Sequence, residues 1–241
     1  MLSAGERPQP PHSSAIVDTP SVPVGKGRMM PDFEANPGSS SNPANLIQEK
    51  RPKPAHVQHI WIVTGPAGCG KSTVGNGLRI ELGVPFLEGD DYHPKANKDK
   101  MGNGIPLTDE DRWDWLISLR QAAIDALSPS EANNFHPPAG VVVACSALKQ
   151  KYRDVMRVAA YGSPSVQIHF IYLKLSEEVL MQRVSQRKSH YMKSDMVRSQ
   201  MQALEEPEKE WDAITINVEG PPESVQREVI DTVTKKLSEY M

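Results

Sequence analysis

The chain has 241 residues and a formal net charge of −3, with 27 Lys and Arg against 30 Asp and Glu dispersed along it. That balance gives no basic footprint for nucleic acid or an acidic membrane, no apolar run approaches a bilayer span, and two cysteines argue against a disulfide framework or structural zinc. The start of the sequence lacks the basic and apolar stretches of a secretory signal, so a cytoplasmic protein is expected, with neither nucleic acid nor membrane as partner.

Residues 1–54 come first and hold ten of the 21 prolines, mixed with Ser, Gly and Asn. Such a stretch cannot bury enough apolar surface to offset the entropy of ordering, and it is expected to be a disordered Pro/Ser-rich tail. Residues 55–241 then fit one domain. Within it, Ile60-Trp61-Ile62-Val63 reads as a short buried strand, and Leu78 and Leu82 mark one face of a helix that starts near Lys71. Between them lies Gly65-Pro66-Ala67-Gly68-Cys69-Gly70-Lys71-Ser72, which fits the pattern G-x-x-x-x-G-K-[ST].

Strand, loop and helix in that order make a phosphate-binding P-loop rather than an ordinary Gly-rich turn. The glycines let backbone N–H groups converge on a phosphate chain at a helix N-terminus, where unpaired amides and the helix dipole favour negative charge. Gly65, Ala67, Gly68, Cys69, Gly70, Lys71, Ser72 and Thr73 are the expected nucleotide cradle. Lys71 is expected to reach the outer phosphates of the nucleotide, and the Ser72 hydroxyl to offer an oxygen to Mg²⁺.

Further along, strands are predicted around Pro85-Phe86-Leu87, at Val141–Cys145, at Val166–Leu175 and at Ala213–Val218. Asp109–Leu127 carries Leu116, Leu119, Ala123 and Leu127 at helical spacing with Thr108 placed to cap it, Glu177 to about Glu205 is a second helical region, and Val225, Val229, Val233 and Leu237 mark a closing helix. Residues 128–140 read as a surface loop without chemistry. The alternation implies an α/β fold in three layers: a parallel five-stranded sheet, helices on both faces, and the P-loop at the sheet's carboxyl edge.

A P-loop alone does not separate motor ATPases, GTPases, sulfotransferases and small-molecule kinases. The acids help: Val141-Val142-Val143-Ala144 ends in Cys145 rather than Asp, and carboxylates gather instead at Glu88, Asp90 and Asp91, after the short second strand. There they can face the P-loop.

The segment Glu88-Gly89-Asp90-Asp91-Tyr92-His93-Pro94 is similar to the G-D-x-x-H-P segment of the gluconokinase family. Lys95–Met101, Gly104–Arg112, Cys145–Lys149 with Tyr152-Arg153-Asp154, Arg187–His190, and Ser199-Gln200 with Leu204-Glu205 resemble that family's further blocks, in order, over roughly residues 58–235. The resemblance implies a P-loop kinase fold with a helical lid at about 183–205, and ATP- and Mg²⁺-dependent phosphorylation of D-gluconate on its 6-hydroxyl. Members are often homodimers, though nothing in the composition marks an interface. Glu88 stands where many members have Asp, so Asp90 is preferred as the functional acid; the 128–140 insertion is the other departure.

Phosphoryl transfer mainly requires positioning and charge stabilisation. Asp90 is expected to orient the attacking hydroxyl and accept its proton, against the plainer reading of a turn aspartate. His93 either sits in a tight turn or bonds the polyol as a neutral imidazole, and the resemblance favours the substrate. A sugar acid needs a cation plus donors and acceptors, with little apolar surface. Arg112 and Arg153 are candidates for that cation; Arg112 resembles the carboxylate-binding arginine of the related shikimate kinases, while a structural salt bridge is nearly as good a reading of Arg153. Ser146, Ala147 and Lys149 follow a strand end, so backbone amides and the Lys are expected to face the substrate, and His190 and Gln200 are expected there too. Arg183 and Arg187 share a helical face in the place of the lid, with Arg187 on the phosphates and Arg183 on adenine opposite Gly220-Pro221-Pro222. Trp113 and Trp115 read as core rather than as a sugar platform. The rival readings are another small-molecule kinase, such as one acting on shikimate, and a nucleotide-responsive binding protein without turnover.

Overall fold

A computed structural model describes residues 57–186 and 194–241. The expected boundary after residue 54 lies outside them, and so do Arg187 and His190. Strand β1 (Gln58–Thr64) is followed by helix α1 (Lys71–Leu82), β2 (Phe86–Glu88), a 3-10 turn at Gly89–Tyr92, α2 (Lys95–Gly102) and α3 (Asp109–Ala126). Then come β3 (Gly140–Ala144), α4 (Gln150–Arg157), β4 (Val166–Lys174), α5 (Glu177–Ser185), α6 (Ser194–Ala203), β5 (Ala213–Asn217) and α7 (Pro222–Ser238).

All strand pairs are parallel, in the order β2-β3-β1-β4-β5. β1 therefore has a neighbour on each side and helices over both faces, which is why six of its seven residues are buried and its sequence reads as one apolar run. Its side chains still alternate. Trp61 and Val63 pack with Leu78, Val142, Leu173 and Val229 on one face, while Ile60 and Ile62 pack with Leu116, Leu119, Val143 and Met156 on the other. The first set is covered by α1, α5 and α7, and the second by α3 and α4.

Local rules fix the ends of the elements that carry the site. Gly70 precedes α1 at φ 111°, a left-handed conformation that glycine adopts without cost. Thr108 caps α3 as expected: its hydroxyl accepts from Asp111 N at 3.3 Å, and the Asp111 carboxylate accepts from Thr108 N at 2.9 Å. Gly89 follows β2 because a Cβ there would meet Ala144 O at 2.3 Å.

Two helices, α2 and α4, were not predicted. α2 buries only Asn97 and shows no hydrophobic period, while α4 is two turns long and places only Tyr152, Val155 and Met156 on the core beside the buried Arg153 and Arg157, too short a pattern to stand out. The helical region predicted from Glu177 to Glu205 contains two helices, α5 and α6, with residues 187–193 between them outside the described set. The 128–140 segment is an exposed loop with a 3-10 turn at Glu131–Asn133.

Candidate active site

The order of the sheet brings the ends of β1, β2 and β3 side by side at one edge. β1 delivers the P-loop, β2 the Gly89–Tyr92 turn, and β3 the Ser146–Lys149 turn. These are tied together by Ser146 O, which accepts from Thr64 Oγ1 at 2.6 Å and from Gly65 N at 3.3 Å. A cavity of about 540 Å³ opens over this junction, and Ala67, Lys71, Asp90, His93, Arg112, Ser146, Lys149 and Gln200 all line it. Eight residues singled out from the sequence thus meet around one space.

Lys71 Nζ donates to Pro66 O at 3.1 Å, and Ala67 N donates to Gln200 Oε1 at 2.7 Å, so α6 touches the P-loop directly. Asp90 projects from the 3-10 turn with its side chain 84 % exposed, 4.0 Å from His93 Nε2. His93 itself is buried and lies flat on Trp115, with ring centroids 4.1 Å apart. The Trp115 indole donates to Gly89 O at 2.7 Å, so one core tryptophan holds both the turn and the imidazole. Burial lowers the His93 pKa to about 4, which keeps the ring neutral near pH 7. Asn97 Nδ2 donates to Asp111 O at 2.6 Å and faces His93 Nδ1 at 3.4 Å, so Nδ1 is the acceptor and the Nε2–H is directed toward Asp90.

Arg112 donates to Leu107 O at 3.3 Å, with its guanidinium 5.6 Å from the centre of the Tyr152 ring. Lys149 Nζ stands 5.7 Å from that ring and donates to Asp109 Oδ1 at 2.9 Å. The wall between these polar groups is more apolar than a sugar acid alone requires, with Met101, Ile105, Leu107, Leu148 and Ala203 on it.

One expectation needs correction. Arg153 does not line the cavity. It is 1 % exposed, and every guanidinium nitrogen is engaged: by Glu210 at 2.5 to 3.1 Å, and by the carbonyls of Ala147, Leu148 and Glu205 at 2.9 to 3.1 Å. Its role is the structural salt bridge, and through those carbonyls it holds the turn after β3. Ala147 is fully buried at φ 34°, which leaves only its backbone for a ligand. Cys69 is also buried, with its thiol pKa raised by desolvation, which leaves only its backbone for phosphate. Sequence reasoning missed Asp109 and Tyr152, both on the cavity wall; a carboxylate in the first turn of a capped helix, near the basic residues after β3, is visible as a pattern only once the helices are paired.

A second cavity, of about 460 Å³, lies on the other side of the P-loop and is lined by Gly68, Cys69, Gly70 and Thr73 together with Arg183, Gly220 and Pro222. Arg183 donates to Val218 O and, at 3.4 Å, to Cys69 O. The arginine and the glycine-proline loop expected opposite it thus face one another beside the phosphate cradle. No group of three His, Cys, Asp or Glu side chains able to hold a metal occurs among the described residues, and no described helix is long and apolar enough to cross a membrane.

A five-stranded parallel sheet that presents a P-loop, an acidic turn and a cavity lined by Lys71, Arg112 and Lys149 and large enough for a small molecule at one edge defines a P-loop kinase of small molecules. A family model described as an AAA domain matches residues 60–207. A probable gluconokinase of Schizosaccharomyces pombe is 44 % identical over 76 % of this chain and 91 % of its own length, and the thermoresistant gluconokinase of Escherichia coli is 35 % identical over 75 % and 96 %. The crystal structure of a gluconokinase from Sinorhizobium meliloti 1021 superposes with a TM-score of 0.65 at 35 % identity, covering 76 % of this chain and 96 % of that one. The chain belongs to the gluconokinase family. It is a kinase, and as a P-loop kinase of this family it binds ATP.

Proposed function

We propose that the protein transfers the γ-phosphoryl group of ATP to the 6-hydroxyl of D-gluconate, giving 6-phospho-D-gluconate and ADP. The observation that carries the reading is the single cavity in which Lys71 of the P-loop, Asp90, His93 and Arg112 converge. In this reading Arg112 takes the carboxylate, His93 and Ser146 bond hydroxyls, and Asp90 orients the 6-hydroxyl and accepts its proton as the oxygen attacks phosphorus. Lys71 stabilises the charge on the transferring phosphoryl group, with Gln200 beside it on the lid helix and Arg187 and His190 supplied from residues outside the described set. Arg183 and the Gly220 loop flank the base of the nucleotide in the second cavity.

Mg²⁺ fits the donors present. The Ser72 hydroxyl at the start of α1 would hold it, as an ion that takes most of its ligands from phosphate and water needs few from the protein. When bound, it shields the charge shared by the phosphates. The same proposal comprises a tail at 1–54, a kinase domain at 55–241 with its lid at about 183–205, a cytoplasmic location, small-molecule partners without nucleic acid or membrane, and the homodimer habitual in the family.

The test is ADP release with ATP and Mg²⁺ in the presence of D-gluconate, shikimate or no acceptor, repeated on Arg112→Ala. Gluconate alone should stimulate release, and the substitution should raise the gluconate KM by the equivalent of ~1.5–3 kcal/mol while leaving that for ATP in place. An equal effect on both substrates would remove Arg112 from the carboxylate.

A further inference from the structure

Three cations, Arg112, Lys149 and Lys151, stand within 6.0 Å of the centre of the Tyr152 ring, and the two that line the first cavity, Arg112 and Lys149, are not equivalent. Among the described residues, Arg112 donates to the Leu107 carbonyl and no carboxylate lies within 4.0 Å of it. Lys149 already has a carboxylate: Asp109 Oδ1, at 2.9 Å. The Tyr152 hydroxyl donates to that same oxygen, and Lys151 donates to Oδ2.

Asp109 opens α3, where the helix dipole favours negative charge. The hydrogen bonds from Lys151, Tyr152 and Lys149 hold its carboxyl far below the usual carboxylate range, so it stays ionised at any working pH. Its side chain is 35 % exposed and lies on the cavity wall, so a ligand reaching toward Lys149 meets a negative charge first.

We propose that Asp109 is a built-in counter-ion that sets the charge of the acid-binding end, so that a monoanionic carboxylate is accepted there and a dianionic phosphate is refused. This rests on the reading of the cavity as a sugar-acid site. A carboxylate needs one cation, and Arg112 supplies it. A phosphate in the same position needs a second, and recruiting Lys149 breaks its bond to Asp109 or sets two like charges side by side. Asp109 is therefore a specificity-determining residue that acts through Lys149.

The experiment measures competition by a hexitol 1-phosphate against D-gluconate at saturating ATP, which fills the P-loop and leaves the acid end to be read. The proteins are the wild type, Asp109→Asn and Lys151→Ala. In the wild type the hexitol phosphate should compete poorly. Asp109→Asn should tighten that competition at least about fivefold relative to the gluconate KM. Lys151→Ala, which leaves the Asp109 and Lys149 pair in place, should keep the wild-type ratio. Asp109→Ser, which suits the start of a helix, is the second variant if Asn folds poorly and is read in the same way. A wild type that binds the phosphate as well as gluconate overturns the proposal, and so does an unchanged ratio in a folded Asp109 variant. If Arg112→Ala leaves the gluconate KM unmoved, the sugar-acid reading itself fails; if it raises that KM while the Asp109 variants do nothing, only the counter-ion fails.

Discussion

Lys71 shows how much one side chain carries at this site. Its Nζ reaches Pro66 O across the P-loop, and it lines the same cavity as Asp90 and Arg112. Its backbone opens α1, where alanine is at least as good a helix former, so Lys71→Ala should leave the thermal melt nearly unchanged. Turnover should fall by about 10²–10³, the usual cost of removing one charged stabiliser of a transition state. Near-normal kcat in the variant would take Lys71 out of the mechanism. This lysine was legible from its motif because the loop is local: eight consecutive residues define it. Arg153 was left between two readings, because its fate depends on Glu210, 57 residues away, and on Glu205 O, 52 residues away, which reach it only when α4 packs against the segment before β5. A buried arginine with every donor satisfied positions other groups and has none left for a ligand.

Among the elements, the short β2 and its turn carry the narrowest tolerance. Asp90 and His93 stand on a 3-10 turn that begins at Gly89, where β2 runs against β3 in register Glu88 with Ala144. Gly89→Ala would press a methyl group to within 2.3 Å of Ala144 O and 3.2 Å of Leu119, so the turn must move away from β3. Both stability and turnover should drop. The loss in kcat/KM for gluconate should exceed that from Gly83→Ala, where a Cβ meets nothing within 4 Å and only the left-handed backbone is strained. Equal losses in steady-state assays of the two variants would separate the turn's placement from the chemistry. α3 was the element most completely read beforehand, cap included, because its apolar residues recur every three and four positions. α2 escaped because its inward face is polar, and α4 because it is only two turns long and half of its buried residues are arginines that find their partners only in the tertiary structure.

For the whole molecule, three buried imidazoles set the response to acid. Burial lowers His59 and His93 to about 4 and His169 to about 3, from an ordinary 6.5. His59 Nδ1 and His169 Nε2 lie 3.1 Å apart, stacked with Trp61 at the end of the sheet remote from the P-loop. Each ring binds its proton more weakly folded than unfolded, so the unfolded chain takes up protons first as the pH falls below about 6.5. The stability they contribute is fully present above that value and is lost progressively toward pH 4. The melting temperature should decline across this window, and His169→Gln should flatten the slope; a melting temperature constant from pH 6.5 to 4 would refute the account. Asp111, held at about 2 chiefly by Lys100, is lost only below the ordinary 3.8 and can be told apart by its range. What the sequence by itself determined was everything carried by neighbours along the chain: the P-loop, the period of the apolar strands and helices, and the acidic turn with its family blocks. Only the tertiary structure decided which cation is available and which is already paired, since Lys149 meets Asp109 across 40 residues and Ala67 meets Gln200 across 133. Those pairings follow from the strand order, which places β3 beside β1 and leaves the intervening helices to bring distant charges to one edge of the sheet.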